Sequence, residues 1–327
     1  MARSCEHNWW NGLTPAALAL LTGAVPLSGQ GALNPTVAPR AAELARNGQR
    51  GVATEMLGRY LATATDDASA WIQLGRFYLL DIREWHAAGH SVESPGPLYL
   101  DFAAAAVDQA VRLRADSGLV LRHMVELERG LVAIEEDGWA SLATRPVPRD
   151  LPPLPDFILE LGANLLSSCP PEGVVATGSD IEAVAVWAVA AGRSSGPLLI
   201  PSLYATDARY RHQMAIVLGT DAEWPVQQAL IAVAARRPVC LTPHADRALM
   251  ALPDLRPMRF VQVTGPGISA GDRVVTVTGL LRAERQGGSP WTTEVHGVYR
   301  AAAGFNPQLC EGPLALLGDT QAVTCRH

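Results

Sequence analysis

Apolar and polar positions follow one rhythm in the first half of this chain and another in the second. From residue 36 to 143, apolar side chains recur every three to four positions, the period of amphipathic helices. Ala42 to Arg46 reads as a helix, Asn47-Gly48 as a turn and Val52 to Leu61 as the next helix. Asp66-Asp67 stands where an N-cap belongs, ahead of a helix carrying Trp71. Gly118 to Ile134 predicts a further helix that caps the stack. Thr144 to Asp156 then holds five prolines, which prevent regular structure and stiffen the chain, so a linker is expected at 144–156.

Beyond the linker, short apolar runs alternate with helical stretches. Phe157 to Ser167, Ile181 to Ala191, Ala208 to Leu218 and Trp224 to Ala235 read as helices. Val174 to Ala176, Leu198 to Leu203, Pro238 to Leu241 and Arg259 to Val263 read as buried strands. Arg273 to Leu281 alternates apolar and polar positions and reads as an edge strand. A last helix is expected over Pro290 to Ala303, with another stretch to Leu317. Strands alternating with helices predict a mostly parallel sheet with helices on both faces, a Rossmann-like α/β domain over 157–327.

Within the helical half, Trp71-x2-Leu74-Gly75-x2-Tyr78 resembles the first helix of a tetratricopeptide repeat. Trp71 and Leu74 would fill the groove between paired helices, Gly75 would let them approach, and Tyr78 would close the next turn. The second helix of that motif is matched by Ala103, Ala110, Leu113 and Asp116, with Ala115 where proline is usual. It arrives roughly sixteen residues late, so Asp81 to Leu100 reads as an insertion between the two helices. The resemblance implies a tetratricopeptide-like domain over 33–143 that binds a protein partner on its concave face.

A second resemblance covers residues 155–265. Pro170-Pro171, Val174, Val175, Thr177, Asp180, Glu182 and Trp187 are similar to the soluble C-terminal region of bacterial membrane proteins of the protein O-mannosyltransferase type. Ser202-Leu203, Tyr210 to Met214, Arg237-Pro238-Val239 and Leu252 to Val263 continue it. Ser179 and Ile181 depart from the more polar loop of that family. Its membrane-embedded transferase region has no counterpart in this sequence. The resemblance therefore implies a shared extracytoplasmic accessory domain and not glycosyl transfer.

Composition narrows the field. Apolar residues make up 48% of 327 residues, enough for two domains with cores of their own. The net charge of −6 argues against nucleic acid as a partner, and every Lys/Arg cation is Arg. Residues 1–32 read as a signal peptide: Arg3, an apolar run from Ala16 to Val25, then small residues fit for cleavage. An uncleaved anchor and a cytosolic helix remain alternatives. The cleaved reading places the protein in the periplasm or outside the cell, with no membrane span in the mature chain. Four cysteines then remain, with three possible pairings. Cys310 with Cys325 is the favoured pair, with Cys169 and Cys240 otherwise buried as small apolar residues.

The chemistry concentrates at strand ends. Thr177-Gly178-Ser179-Asp180-Ile181-Glu182 joins the first strand to a helix, where α/β ligands usually sit. Thr177, Ser179, Asp180 and Glu182 offer hydroxyls and carboxylates there. The neighbouring strands would bring Ser202, Tyr204, Thr206 and Asp207 on one side, and Thr242 and His244 on the other. His244 would be the general base. Against this stands a plainer reading, in which Ser179 or Asp180 caps the helix and Glu182 complements its dipole. His86-x3-His90 has metal-ligand spacing, but Gly89 and SVESPG read as a frayed loop and no third ligand is evident. No cofactor and no metal is expected. The leading expectation is an exported, non-catalytic interaction protein; the competing one is a sugar or sugar-phosphate binder or hydrolase using the Thr177–Glu182 rim.

Overall fold

The helical rhythm becomes five successive helices in the computed structural model, which describes residues 37–88, 96–113, 115–144, 151–190, 196–268 and 275–316. They are α1 (Val37–Arg46), α2 (Arg50–Leu61), α3 (Ala68–Ala87), α4 (Gly96–Arg112) and α5 (Asp116–Asp137), followed by the single turn α6 (Ser141–Thr144). Asp67 caps α3 by accepting from the Ala70 amide, at 3.0 Å. Leu74, Ala103 and Ala110 are buried where α3 meets α4. Gly75 permits that approach: a Cβ there would lie 2.6 Å from a Val107 methyl. Trp71 packs at the edge of this core, and its indole N–H donates to the Thr65 carbonyl at 2.9 Å.

One expectation for this half changes. Asp81 to Ala87 is not part of a looped insertion but forms the last turns of α3, which buries Ile82 and His86. The sequence from Asp81 to His86 keeps apolar residues at helical spacing, and packing extends the helix beyond the motif. Residues 89–95, with His90, lie outside the described residues, as do the expected signal segment and residues 145–150 of the linker.

After residues 151–155, whose Leu154 is buried in the main core, the order is α7 (Asp156–Ser167), β1 (Val174–Thr177), α8 (Asp180–Ala190), β2 (Leu198–Pro201), α9 (Ala208–Leu218), α10 (Val226–Ala234), β3 (Val239–Leu241), β4 (Arg256–Met258) and β5 (Val261–Thr264). Helices α11 (Thr278–Arg285), α12 (Pro290–Phe305), α13 (Gln308–Glu311) and α14 (Pro313–Leu316) follow. Ser289 opens α12 with a capping box, its hydroxyl accepting from the Thr292 amide. None of the described helices is long and apolar enough to cross a membrane.

The sheet runs β2-β1-β3-β5-β4 and is mixed. β1 pairs in parallel with β2 and β3, aligning Val175 with Leu199 and Cys240, whereas β5 is antiparallel to both β3 and β4. The expected mostly parallel sheet is therefore confined to three strands. The cause is a tight hairpin, Arg259-Phe260, which reverses the chain between β4 and β5. Arg259 adopts φ 53° there without a glycine or asparagine to announce it. The expected edge strand at 273–281 is also corrected: Thr278 to Leu281 begins α11, and residues 269–274 lie outside the described residues. Glu160 of α7 fixes that helix start by accepting from the Gly279 and Leu280 amides.

β1 and β3 are buried along their whole length, and the core continues from α3, α4 and α5 into the sheet. Cys169 and Cys240 are disulfide-bonded, across a sequence separation of 71, rather than reduced core residues. A loop of that length is worth about 4 kcal/mol in the chain-entropy model. Cys310 is likewise disulfide-bonded. Its expected partner, Cys325, lies outside the described residues.

Candidate functional site

The carboxyl ends of β1, β2 and β3 meet α3, α5 and α8 in a layer rich in buried polar groups. β1 ends at Thr177, and α8 begins at Asp180 behind Ser179. Glu182, in the first turn of α8, is fully buried. Its Oε2 accepts from the Gly178 amide at 3.2 Å, the Ser179 amide at 2.9 Å and the Thr242 hydroxyl at 2.9 Å. Its Oε1 accepts from the His244 amide at 3.1 Å and lies 3.3 Å from His244 Nδ1. Ser179 and Glu182 thus form a capping box, with Ser179 Oγ also 3.4 Å from the Glu182 amide. A carboxylate has about four lone-pair sites, and these contacts occupy them all.

The switch point between β1 and β3, where ligands of open α/β sheets bind, is closed. A Cβ on Gly178 would lie 2.0 Å from the His244 carbonyl oxygen, so the loop leaving β3 rests on the turn leaving β1. The Ser202 hydroxyl donates to the Thr177 carbonyl at 2.6 Å and ties the end of β2 to that turn. His244 stays part-exposed. Its hydrogen bond to Glu182 raises its affinity for a proton, against burial, which lowers it.

A second group joins residues of both halves of the sequence. Arg83 of α3 donates to Glu128 of α5 and to Asp180 of α8, each at 2.8 Å. Tyr204, in the turn after β2, donates its hydroxyl to the same Glu128, and the Arg83 guanidinium lies 6.0 Å from the Tyr204 ring centre. Glu128 is fully buried. Burial pushes its carboxyl up, opposed by the Arg83 charge and the two hydrogen bonds. Burial, then the Glu128 charge, pushes the Tyr204 phenol well up.

Beside it lies a third group. His86 Nδ1 of α3 is 3.1 Å from a Glu135 carboxylate oxygen of α5. Asp207 caps α9, accepting from the Arg209 amide at 2.8 Å and the Tyr210 amide at 2.9 Å. One donor atom from each of His86, Glu135 and Asp207 lies within 4.8 Å of the others, and all three residues are buried. This set has the chemistry of a metal site.

The anticipated rim residues other than Thr206, which is exposed, are thus divided among three groups and the braced strand ends. Ser179, Glu182, Thr242 and His244 come together; Asp180 and Tyr204 join Arg83 and Glu128; Asp207 joins His86 and Glu135. Thr177 and Ser202 brace the strand ends. A shallow open depression lined by Ile231, Ala234, Pro253, Asp254, Arg256 and Thr264 shares no residue with any group. Sequence reasoning passed over Arg83, Glu128 and Glu135. The two glutamates interrupt the apolar stripe Leu121, Met124, Leu131, Ile134 of α5, and an acid on a core-facing stripe is the signal that marks them.

No protein-family model, no curated protein and no solved structure matches this chain.

Proposed function

We propose that this is an exported, non-catalytic protein-interaction protein whose helical half docks a protein partner. The observation that carries the reading is a surface patch on α3 and α4. Leu98 and Phe102 are 52% and 47% exposed on one face of α4, and the Tyr78 ring contacts Tyr99 and Phe102 at 6.3 and 5.4 Å between centres. Contiguous aromatic and aliphatic surface rimmed by charge is what protein interfaces use. The carboxylates that would serve catalysis at the strand ends are instead engaged by amides, hydroxyls and Arg83, which favours a bracing role for them.

The order of helix contacts supports the tetratricopeptide-like reading. α1 packs on α2 and α3 on α4, while α1 also meets α3 and α3 meets α5, the pattern a stack of paired helices produces. The three parallel strands support a Rossmann-like origin for the second half, akin to the accessory domain of O-mannosyltransferase-type proteins, with a cell-envelope glycan or secretion system as the setting. A photo-crosslinking residue at Phe102 tests the reading in envelope extract, beside one at Ile216, which is 63% exposed on α9. A discrete protein adduct at Phe102 alone is expected. Equal labelling at both positions, or none at Phe102, removes the support.

The competing reading, a sugar or sugar-phosphate binder or hydrolase, draws on one feature: His244 is held by a buried carboxylate and faces solvent, as a general base would. Retention of a saccharide by the wild type, and its loss on His244→Gln with the fold intact, would favour it.

A further inference from the structure

We propose that His86, Glu135 and Asp207 hold one divalent transition-metal ion of the zinc–manganese type, as a staple joining α3, α5 and α9. The donors come from elements far apart in sequence, yet one ligand atom of each lies within 4.8 Å of the others. An ion with bonds of about 2.1–2.2 Å spans up to about 4.4 Å between opposite donors of an octahedral shell. Neighbouring donors on such an ion sit about 3.0–3.4 Å apart, and His86 Nδ1 and Glu135 Oε1 are separated by 3.1 Å. Carboxylate and imidazole are the donor types that divalent transition ions take.

A second observation points to the same place. The Tyr210 hydroxyl, fully buried, makes no hydrogen bond among the described residues. It lies close enough to Glu135 that, after burial, this charge pushes the phenol further up. A partnerless hydroxyl that feels the Glu135 charge would complete the coordination or bond a metal-held water. Trp139 and Tyr204 pack on the Tyr210 ring at 5.5 and 6.1 Å and wall the site with apolar surface, as outer shells of metal sites do. Imidazole with carboxylate favours zinc, manganese or ferrous iron over calcium or magnesium, which take oxygen alone, and over cuprous copper, which takes sulfur. With every donor residue buried in the core, the ion would be structural.

The test uses the full chain purified without chelator, with elemental analysis and thermal unfolding as readouts. About one zinc or manganese ion per chain is expected. Chelation should lower Tm by roughly 5–10 °C, and added Zn2+ or Mn2+ should restore it. Glu135→Gln and Asp207→Asn should each reduce occupancy about tenfold or more. Asparagine caps helices as well as aspartate does, so Asp207→Asn keeps the start of α9 and remains folded. A wild-type chain that holds no stoichiometric ion and gains no stability from either metal overturns the proposal. So do variants that retain full occupancy, since the ion would then sit elsewhere.

Discussion

Glu182 and Glu128 are both fully buried at the same end of the sheet, and they are stabilised in opposite ways. Glu182 is served chiefly by neutral donors of its own neighbourhood: two amides of its helix start, and the Thr242 hydroxyl and His244 amide of the loop after β3, with the ionisable His244 ring 3.3 Å away. Glu128 is served by a charged partner, Arg83, and by the Tyr204 phenol, reaching it from separate elements. The first arrangement shapes a turn. The second joins the helical layer to the strands, and its energy depends on keeping both charges together.

The largest effect should follow from separating that pair. Glu128→Ala leaves Arg83, among the described residues, with part-exposed Asp180 as its carboxylate partner, and should cost about 3–5 kcal/mol in urea unfolding. Glu182→Ala strands three amides and the Thr242 hydroxyl and takes the carboxylate from a part-exposed His244 rather than from a buried guanidinium, and should cost about 2–3 kcal/mol, with Glu182→Gln recovering part of it. If Glu182→Ala proves the costlier, the charged brace is not the stronger of the two. Asp180→Asn is smaller still, below about 1 kcal/mol, because that carboxylate is about one-third exposed and Arg83 keeps Glu128.

The smallest expected effect is a pH dependence at His244. Glu182 raises the folded-state affinity of this imidazole for a proton. Its contribution is therefore fully present below the ordinary histidine value of about 6.5 and is lost as pH rises through the raised folded value. Comparing Tm at about pH 5.5 and about pH 8, His244→Gln should lose more at the lower pH. An equal loss at both values would mean that the Glu182 contact does not favour the charged ring.

How legible these regions were follows from where their partners lie. The capping box at Ser179 and Glu182 is a local pattern, three residues apart; the plainer reading of TGSDIE offered Ser179 or Asp180 as the cap and Glu182 as a dipole partner, without the return bond from Glu182 to the Ser179 amide. The α3 cap, the Gly75 contact and the parallel strands β1, β2 and β3 also follow from local spacing. Arg83 and Glu128 are 45 residues apart, and Arg83 and Asp180 are 97 apart. No local rule pairs them, and the apparent insertion hid the fact that Arg83 and His86 share a helix. The β4–β5 hairpin escaped for a different reason: its Arg259-Phe260 turn lacks the usual turn residues, and its strands are short. The Cys169–Cys240 bond was one of three open connectivities, and only the adjacency of α7's end to β3 selects it.

The most direct measurement is quantitative affinity capture from envelope extract with three full-length chains: wild type, Phe102→Asp and Asp180→Asn, each checked for folding. A role on the α4 surface predicts that one and the same protein partner is retained by wild type and Asp180→Asn and lost by Phe102→Asp. Retention by Phe102→Asp together with loss by Asp180→Asn would contradict it, and would return the function to the strand ends.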